Sequence, residues 1–172
     1  MRRTTAPVPL EPEEARQAAY ATALRLLAGR EMSTARVRDR LRTRGFPDEA
    51  IESAVTRLTR AGVLDDRRAV QAAARTLVSV RMRGRHRVGR ELERLGFDQA
   101  LIGQALHDVL EAVDESAMLA RLVESKLRGG KTLPDAAAYR RLFGALLRRG
   151  FPGALIRDAL KPYWRRSAPP DI

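Results

Sequence analysis

The chain reads as an all-α protein: three tandem three-helix repeat units in an elongated array with room to curve. Three observations carry that reading. First, placing Gly45-Phe46, Gly96-Phe97 and Gly150-Phe151 in register puts like residues at like offsets. Leu41, Leu92 and Leu146 stand four before the glycine, and Ile51, Ile102 and Ile156 five after the phenylalanine. Ala54-Val55, Ala105-Leu106 and Ala159-Leu160 follow at eight and nine. The intervals of 51 and 54 residues suit a small helical unit, and agreement at so many offsets is the mark of an internal repeat. Second, apolar residues recur at i, i+4, i+7, the period of a one-sided helix. Third, no stretch sustains the period-two alternation, rich in β-branched and aromatic residues, that would predict strands.

Residues 1–12, holding Pro7, Pro9 and Pro12, are expected to be a disordered leader. The first unit spans 13–62. Its first helix starts after Pro12 with Glu13 and Glu14 at the positive end of the helix dipole, shows Tyr20, Leu24 and Leu27 on one face, and ends at Gly29. Ser33 is placed to cap a second helix that runs to Arg44 and closes at Gly45. Pro47-Asp48-Glu49 opens a third, with Ile51, Val55 and Leu58 sharing a face. The second unit, 63–112, opens at Leu64-Asp65-Asp66. It runs through an alanine-rich helix bearing Val70, Leu77 and Val78, breaks at Gly84, and continues with Val88, Leu92 and Leu95. Asp98 then caps a helix carrying Ile102, Leu106 and Val109. The third unit, 113–164, begins at Asp114-Glu115, pauses at Gly129-Gly130 and Pro134, and resumes with Tyr139, Phe143 and Leu146. It turns at Gly150-Phe151 and ends with Ile156, Leu160 and Tyr163, shortened by Pro162; residues 165–172 are expected to be a disordered tail. At each Gly-Phe pair the glycine supplies the left-handed conformation a helix end needs, and the phenylalanine seals the corner by burial worth ~2 kcal/mol. Gly45, Phe46, Gly96, Phe97, Gly150 and Phe151 are therefore structural turn residues.

The 172 residues hold 33 basic and 21 acidic side chains, a net charge of +12, and the basic residues are almost all arginine. Arginine meets phosphate and carboxylate through a planar fork, so the excess points to an acidic partner, nucleic acid or protein. There is no cysteine, hence no disulfide framework and no thiolate metal site. No apolar run approaches a membrane span and the N-terminus lacks a signal-peptide core, so the cytosol is the expected location.

Catalytic patterns are missing. The acid pairs Glu13-Glu14, Asp48-Glu49, Asp65-Asp66 and Asp114-Glu115 fall at expected helix starts, where capping explains them. His86 and His107 lack cysteine companions and metal-ligand spacing, so no metal and no cofactor are expected. Arg128-Gly129-Gly130-Lys131-Thr132 lacks the first glycine of a phosphate loop and follows no strand. No serine sits in a GxSxG elbow, and an enzyme is not expected.

The densest positive patch lies between Asp66 and Glu91, an interval without an acid that holds Arg67, Arg68, Arg75, Arg81, Arg83, Arg85, Arg87 and Arg90. If the helix runs through Gly84, Arg83, Arg87, Arg90 and Arg94 form one stripe; if it breaks there, Arg81 to Arg85 form a basic turn. The repeat frame adds Arg36, Arg87 and Arg141, each nine residues before its unit's glycine. Arg36, Arg83, Arg85, Arg87, Arg90, Arg94 and Arg141 are the candidate contacts for acidic groups of a protein partner or for DNA phosphates. Few aromatics accompany them, which argues against base stacking as the means of recognition.

Tandem three-helix units with Gly-Phe turns resemble the RecX family of bacterial recombinase regulators. The matching residues are Ala23-Leu24-Arg25-Leu26-Leu27, Leu41-Arg42-Thr43-Arg44-Gly45-Phe46 and Leu64-Asp65-Asp66. To these is added the run Gly84-x-x-x-Val88-x-x-Glu91-Leu92-x-x-Leu95-Gly96-Phe97, similar to the family's G-x-x-x-I-x-x-E-L-x-x-x-G-I. Ala69 replaces an aromatic usual after Leu-Asp-Asp, and the run from Gly129 to Pro134 follows no family pattern. The resemblance implies a monomeric regulator, mainly an inhibitor, that lies along the groove of the RecA recombinase filament and limits strand exchange, ATPase and coprotease activity in DNA repair. It implies RecA as partner, with single- or double-stranded DNA as a second contact. The alternative from charge alone is a DNA-binding or architectural helical-repeat protein acting without RecA.

Overall fold

The structure, a computed structural model, describes residues 11–127 and 132–164. The expected leader up to residue 10, the expected tail 165–172 and residues 128–131, with the expected pause at Gly129-Gly130, lie outside the described residues. Among those described there are helices and no strands. In order these are α1 (Pro12–Ala28), α2 (Thr34–Arg42), α3 (Asp48–Arg60), α4 (Asp66–Arg75), a π-helical turn (Thr76–Val80), α5 (Arg85–Arg94) and α6 (Gln99–Ala112). α7 (Glu115–Lys126), α8 (Ala136–Arg148), α9 (Gly153–Leu160) and a 3-10 turn (Lys161–Tyr163) complete them. The fold is an all-helical repeat.

Compactness groups these helices into two units. One comprises the described residues through Ala69 together with Leu95–Phe97; the other comprises Val70–Arg94 and the described residues from Asp98 onward. The three-repeat frame of 13–62, 63–112 and 113–164 remains our proposal for how the sequence recurs.

In the first unit α1 packs closely along α3. The contact is built from small residues: Ala15, Ala19 and Ala23 are buried against Ile51, Ala54, Val55 and Leu58, with Val37 and Leu41 of α2 completing the core. This corrects the face expected for α1. Tyr20 and Leu27 pack at its edge and Leu24 is 36% exposed, because alanines at i, i+4, i+8 let the helix axes approach and push the larger side chains to the flanks. Tyr20 is covered instead by the guanidinium of Arg57, 4.0 Å from its ring centre. In the second unit the core runs through Val70, Leu77, Val78, Val88, Leu92, Ile102, Val109, Leu119, Val123, Phe143, Leu146, Phe151, Ile156 and Leu160. Tyr139 stacks beside Phe143 and meets Trp164 edge-on.

The Gly-Phe corners at Gly45 and Gly150 have a common hydrogen-bond pattern. Phe46 N–H donates to Leu41 C=O and Gly45 N–H to Arg42 C=O; Phe151 N–H donates to Leu146 C=O and Gly150 N–H to Leu147 C=O. These are Schellman closures, and they explain the recurrent spacing within the chain: the leucine four before the glycine is the residue whose carbonyl receives the phenylalanine. The glycines require φ of 82° at Gly45, 80° at Gly96 and 93° at Gly150, where a side chain is strained. Phe151 is fully buried and Phe97 nearly so, whereas Phe46 is only half-buried.

Candidate functional site

The candidate arginines belong to the middle helices α2, α5 and α8 and to the turn before α5, so the site begins with what holds those helices. The N-termini of α2 and α5 are closed by residues distant in sequence. In the first unit Ser33 caps α2 by accepting from Arg36 N–H, while its hydroxyl donates to Leu95 C=O. The α2 Thr34 N–H and hydroxyl both donate to Asp66, at 2.7 and 2.9 Å. In the second unit the equivalent position to Ser33 is Gly84, whose N–H donates to Arg149 C=O at 2.9 Å, and His86 N–H donates to Gly150 C=O. The equivalent of Thr34 is Arg85, whose N–H and Nε donate to the two carboxylate oxygens of Glu115 at 3.0 and 2.7 Å.

This arrangement divides the acid pairs in a way the sequence does not show. Asp65 and Asp114 cap their own helices by accepting from Arg68 N–H and from Ser116 and Ala117 N–H. Asp66 and Glu115, expected to do the same, instead reach back to the middle helix of the preceding repeat. Glu115 is only 5% exposed, and Arg85 supplies the countercharge its burial demands. Nothing local marks either acid for this role.

Gly84 does interrupt the helix. Residues 81–84 form a turn and α5 starts at Arg85, so Arg83 does not continue a stripe with Arg87, Arg90 and Arg94. Arg83 and Arg87 converge on Glu91: Arg87 Nε donates to Glu91 Oε1 at 2.6 Å, while Arg83 Nε lies 4.0 Å from that oxygen, buried and without a hydrogen bond. Arg87 Nη1 also donates to Arg148 C=O. Three of the seven candidates, Arg83, Arg85 and Arg87, are thus drawn together into the protein's own framework. The i+4 spacing of Arg87 and Glu91 is the sequence signal from which their pairing could have been found.

The other four stand differently. Arg90 and Arg94 are exposed one turn apart on α5, on the side away from buried Val88 and Leu92, and Arg141 is exposed on α8. Arg36 is half-buried on α2. None of the four side chains has an ion-pair or hydrogen-bond partner among the described residues, so their charge is available. By contrast Arg38 on α2 is tied through Nε and Nη2 to both oxygens of Glu52, at 2.7 and 2.8 Å. That bond raises the Arg38 pKa and lowers that of Glu52.

His86 and His107 line one open groove of about 540 Å³ with Arg85, Gly103, Leu106, Leu110 and Glu111. His107 stands 3.2 Å from Glu111. No group of three or more His, Cys, Asp or Glu among the described residues is placed to hold a metal ion. No helix among them is long and apolar enough to cross a membrane. What the surface offers chemically is a set of guanidinium groups, unpaired among the described residues, on helices closed at their N-termini, suited to carboxylate or phosphate.

Two family models match this chain: the RecX first three-helix domain over residues 19–58 and the RecX third three-helix domain over residues 114–160. A regulatory protein RecX from Trichlorobacter lovleyi is 37% identical over 143 residues, covering 81% of this chain and 91% of that protein. One from Amycolatopsis mediterranei is 30% identical, covering 94% of each. Among solved structures, the crystal structure of RecX from Lactobacillus salivarius superposes with a TM-score of 0.69 at 17% identity, covering 88% of this chain and 97% of that one.

Proposed function

The chain belongs to the RecX family of regulatory proteins, and on that premise we propose that it is a regulator, mainly an inhibitor, of RecA recombinase. In this reading it binds the RecA–DNA filament along its groove, without chemistry of its own, and restrains strand exchange, ATP hydrolysis and coprotease activity. The observation that carries the reading is the presence of unpaired arginines on all three middle helices: Arg36 on α2, Arg90 and Arg94 on α5, and Arg141 on α8. A net charge of +12 adds long-range attraction to an acidic filament. Arg85 and Arg87 act as positioning residues, since their bonds to Glu115 and the Arg148 carbonyl hold α5 in place, with Arg83 beside Glu91.

The test is RecA ATP hydrolysis on single-stranded DNA, titrated with this protein up to stoichiometric amounts, beside a binding assay on the same DNA without RecA. Loss of hydrolysis at protein concentrations that leave free DNA unbound supports a filament regulator. Reversing Arg36, Arg90, Arg94 and Arg141 to Glu, which breaks no side-chain hydrogen bond or ion pair among the described residues, should abolish that loss; a folded mutant that inhibits like the wild type sinks their role. Tight binding to bare DNA, with a salt slope near ~0.7 per phosphate contact on this single strand and no effect on RecA beyond competition, would favour the architectural alternative.

A further inference from the structure

The repeat frame exposes one place where the second repeat departs from the first. The α1–α3 pair packs closely, but α4 and the π-turn approach α6 less closely. At the register position where Arg57 covers Tyr20, the second repeat has Asp108 accepting a hydrogen bond from Gln71 at 3.0 Å. Beyond that bond the helices part, leaving an open groove of about 390 Å³. Its walls are Thr76, Ser79 and Val80 of the π-turn, and Val109, Ala112 and Val113 at the end of α6, with Arg75 at the rim.

The turn beside this groove is conformationally unusual. Residues 76–80 take π geometry, which is rare and concentrates at functional sites, and Met82 has φ of 50°, the sole left-handed non-glycine among the described residues. The effect is to hold Val80 out in solvent at 75% exposure, well above any other large aliphatic side chain described. Arg75 and Arg81 flank it, both exposed and without ion-pair partners among the described residues. The groove's own acid, Asp108, is held by Gln71. An exposed apolar side chain with cations before and after it in the chain is complementary to an apolar residue between carboxylates.

We propose that the groove between the π-turn and the end of α6 docks an acidic segment of the partner protein. Val80, Val109 and Val113 would receive its central apolar side chain, and Arg75 and Arg81 its flanking carboxylates. The proposal rests on the reading of this chain as a protein-filament regulator and separates one role from another. The arginines of the middle helices serve charge attraction generally, whereas this groove recognises protein.

Two assays decide it, with Val80→Asp and Ala112→Glu, each adding a repelling charge at an exposed wall position. The first follows methyl chemical shifts of Val80, Val109 and Val113 as a dodecapeptide, one leucine centred among aspartates and glutamates, is added. The second measures affinity for RecA on single-stranded DNA and for the same DNA alone. We expect saturable shifts in the wild type that either substitution abolishes, and an affinity for the filament reduced about tenfold with bare-DNA affinity unchanged. Peptide that binds wild type and both variants alike, or none of them, overturns the proposal, as does an equal loss on bare DNA. If the wild type fails to engage the filament while the peptide still discriminates the variants, the RecA reading falls and the groove stands.

Discussion

Substituting alanine at three glycines separates two physical costs that the repeat combines. At Gly103, in mid-α6, an added Cβ meets nothing within 4 Å, and the only effect is the entropy glycine loses on folding. Gly103→Ala should therefore stabilise the protein by ~0.5–1 kcal/mol. At Gly45 the space is equally open but φ is 82°, so alanine there should cost ~1–2 kcal/mol of backbone strain alone. Gly84 presents the reverse case. Its φ is not in the left-handed region, yet an added Cβ would lie 2.5 Å from the Gly150 oxygen and the Phe151 nitrogen, both backbone atoms that no rotamer change can move. The start of α5 would have to lift from the α8–α9 corner, stretching the Gly84–Arg149 and His86–Gly150 hydrogen bonds. Overpacking at ~1–3 kcal/mol and partial loss of two bonds at ~1 kcal/mol each put Gly84→Ala at ~2–5 kcal/mol. Urea unfolding followed by far-ultraviolet circular dichroism measures all three. A Gly84→Ala protein as stable as the wild type would refute the close approach of α5 to the α8–α9 corner, and with it the account of how the candidate arginines are positioned.

Glu115→Ala leaves the Arg85 N–H without its acceptor and the guanidinium without its partner; an expected loss of ~1.5–3 kcal/mol, reduced by the partial exposure of Arg85, is read in the same titration. Asp66→Ala removes the acceptor for Thr34 N–H and hydroxyl, and a fall of ~1–2 kcal/mol should be accompanied by faster amide exchange in the first turn of α2. Burial raises the Tyr139 pKa, with Arg157 opposing weakly. A tyrosine whose folded pKa lies above its unfolded value contributes stability that is complete below the unfolded pKa near ~10 and lost as pH rises through the folded one. Alkaline titration of unfolding should show that decline, and Tyr139→Phe should remove it.

The features legible in sequence are those set by local chemistry. The Gly-Phe corners are readable because left-handed φ nearly requires glycine, and because a Schellman closure fixes the distance back to the leucine whose carbonyl it uses. Ser33, Asp98 and Asp114 are readable as caps for the same reason: their hydrogen bonds span two or three residues. The buried face of α1 is concealed because leucine and tyrosine outweigh alanine on any hydrophobic scale, while close helix packing favours the smaller side chain. Asp66 and Glu115 sit beside acids that do cap locally, and only the folded chain distinguishes partners 32 and 30 residues away. The π-turn and the left-handed Met82 carry no glycine or proline to announce them. Of the candidate surface, the sequence locates the arginines; which of them are spent on Glu91 and Glu115 depends on where Gly84 breaks the helix.

The back-reaching contacts have a consequence for how the chain is made. The first compact unit includes Leu95–Phe97, so the helix that carries Arg36 lacks part of its closure until those residues are available. On a ribosome, which delivers residues in order, the first helices can form early but not as a finished unit. Completion waits on a segment synthesised much later, and a nascent chain arrested before it would display an α2 whose start is only partly closed. Sequence periodicity here describes helix order, while the compact units are staggered across it. A fragment cut at a repeat boundary would separate partners rather than isolate a module.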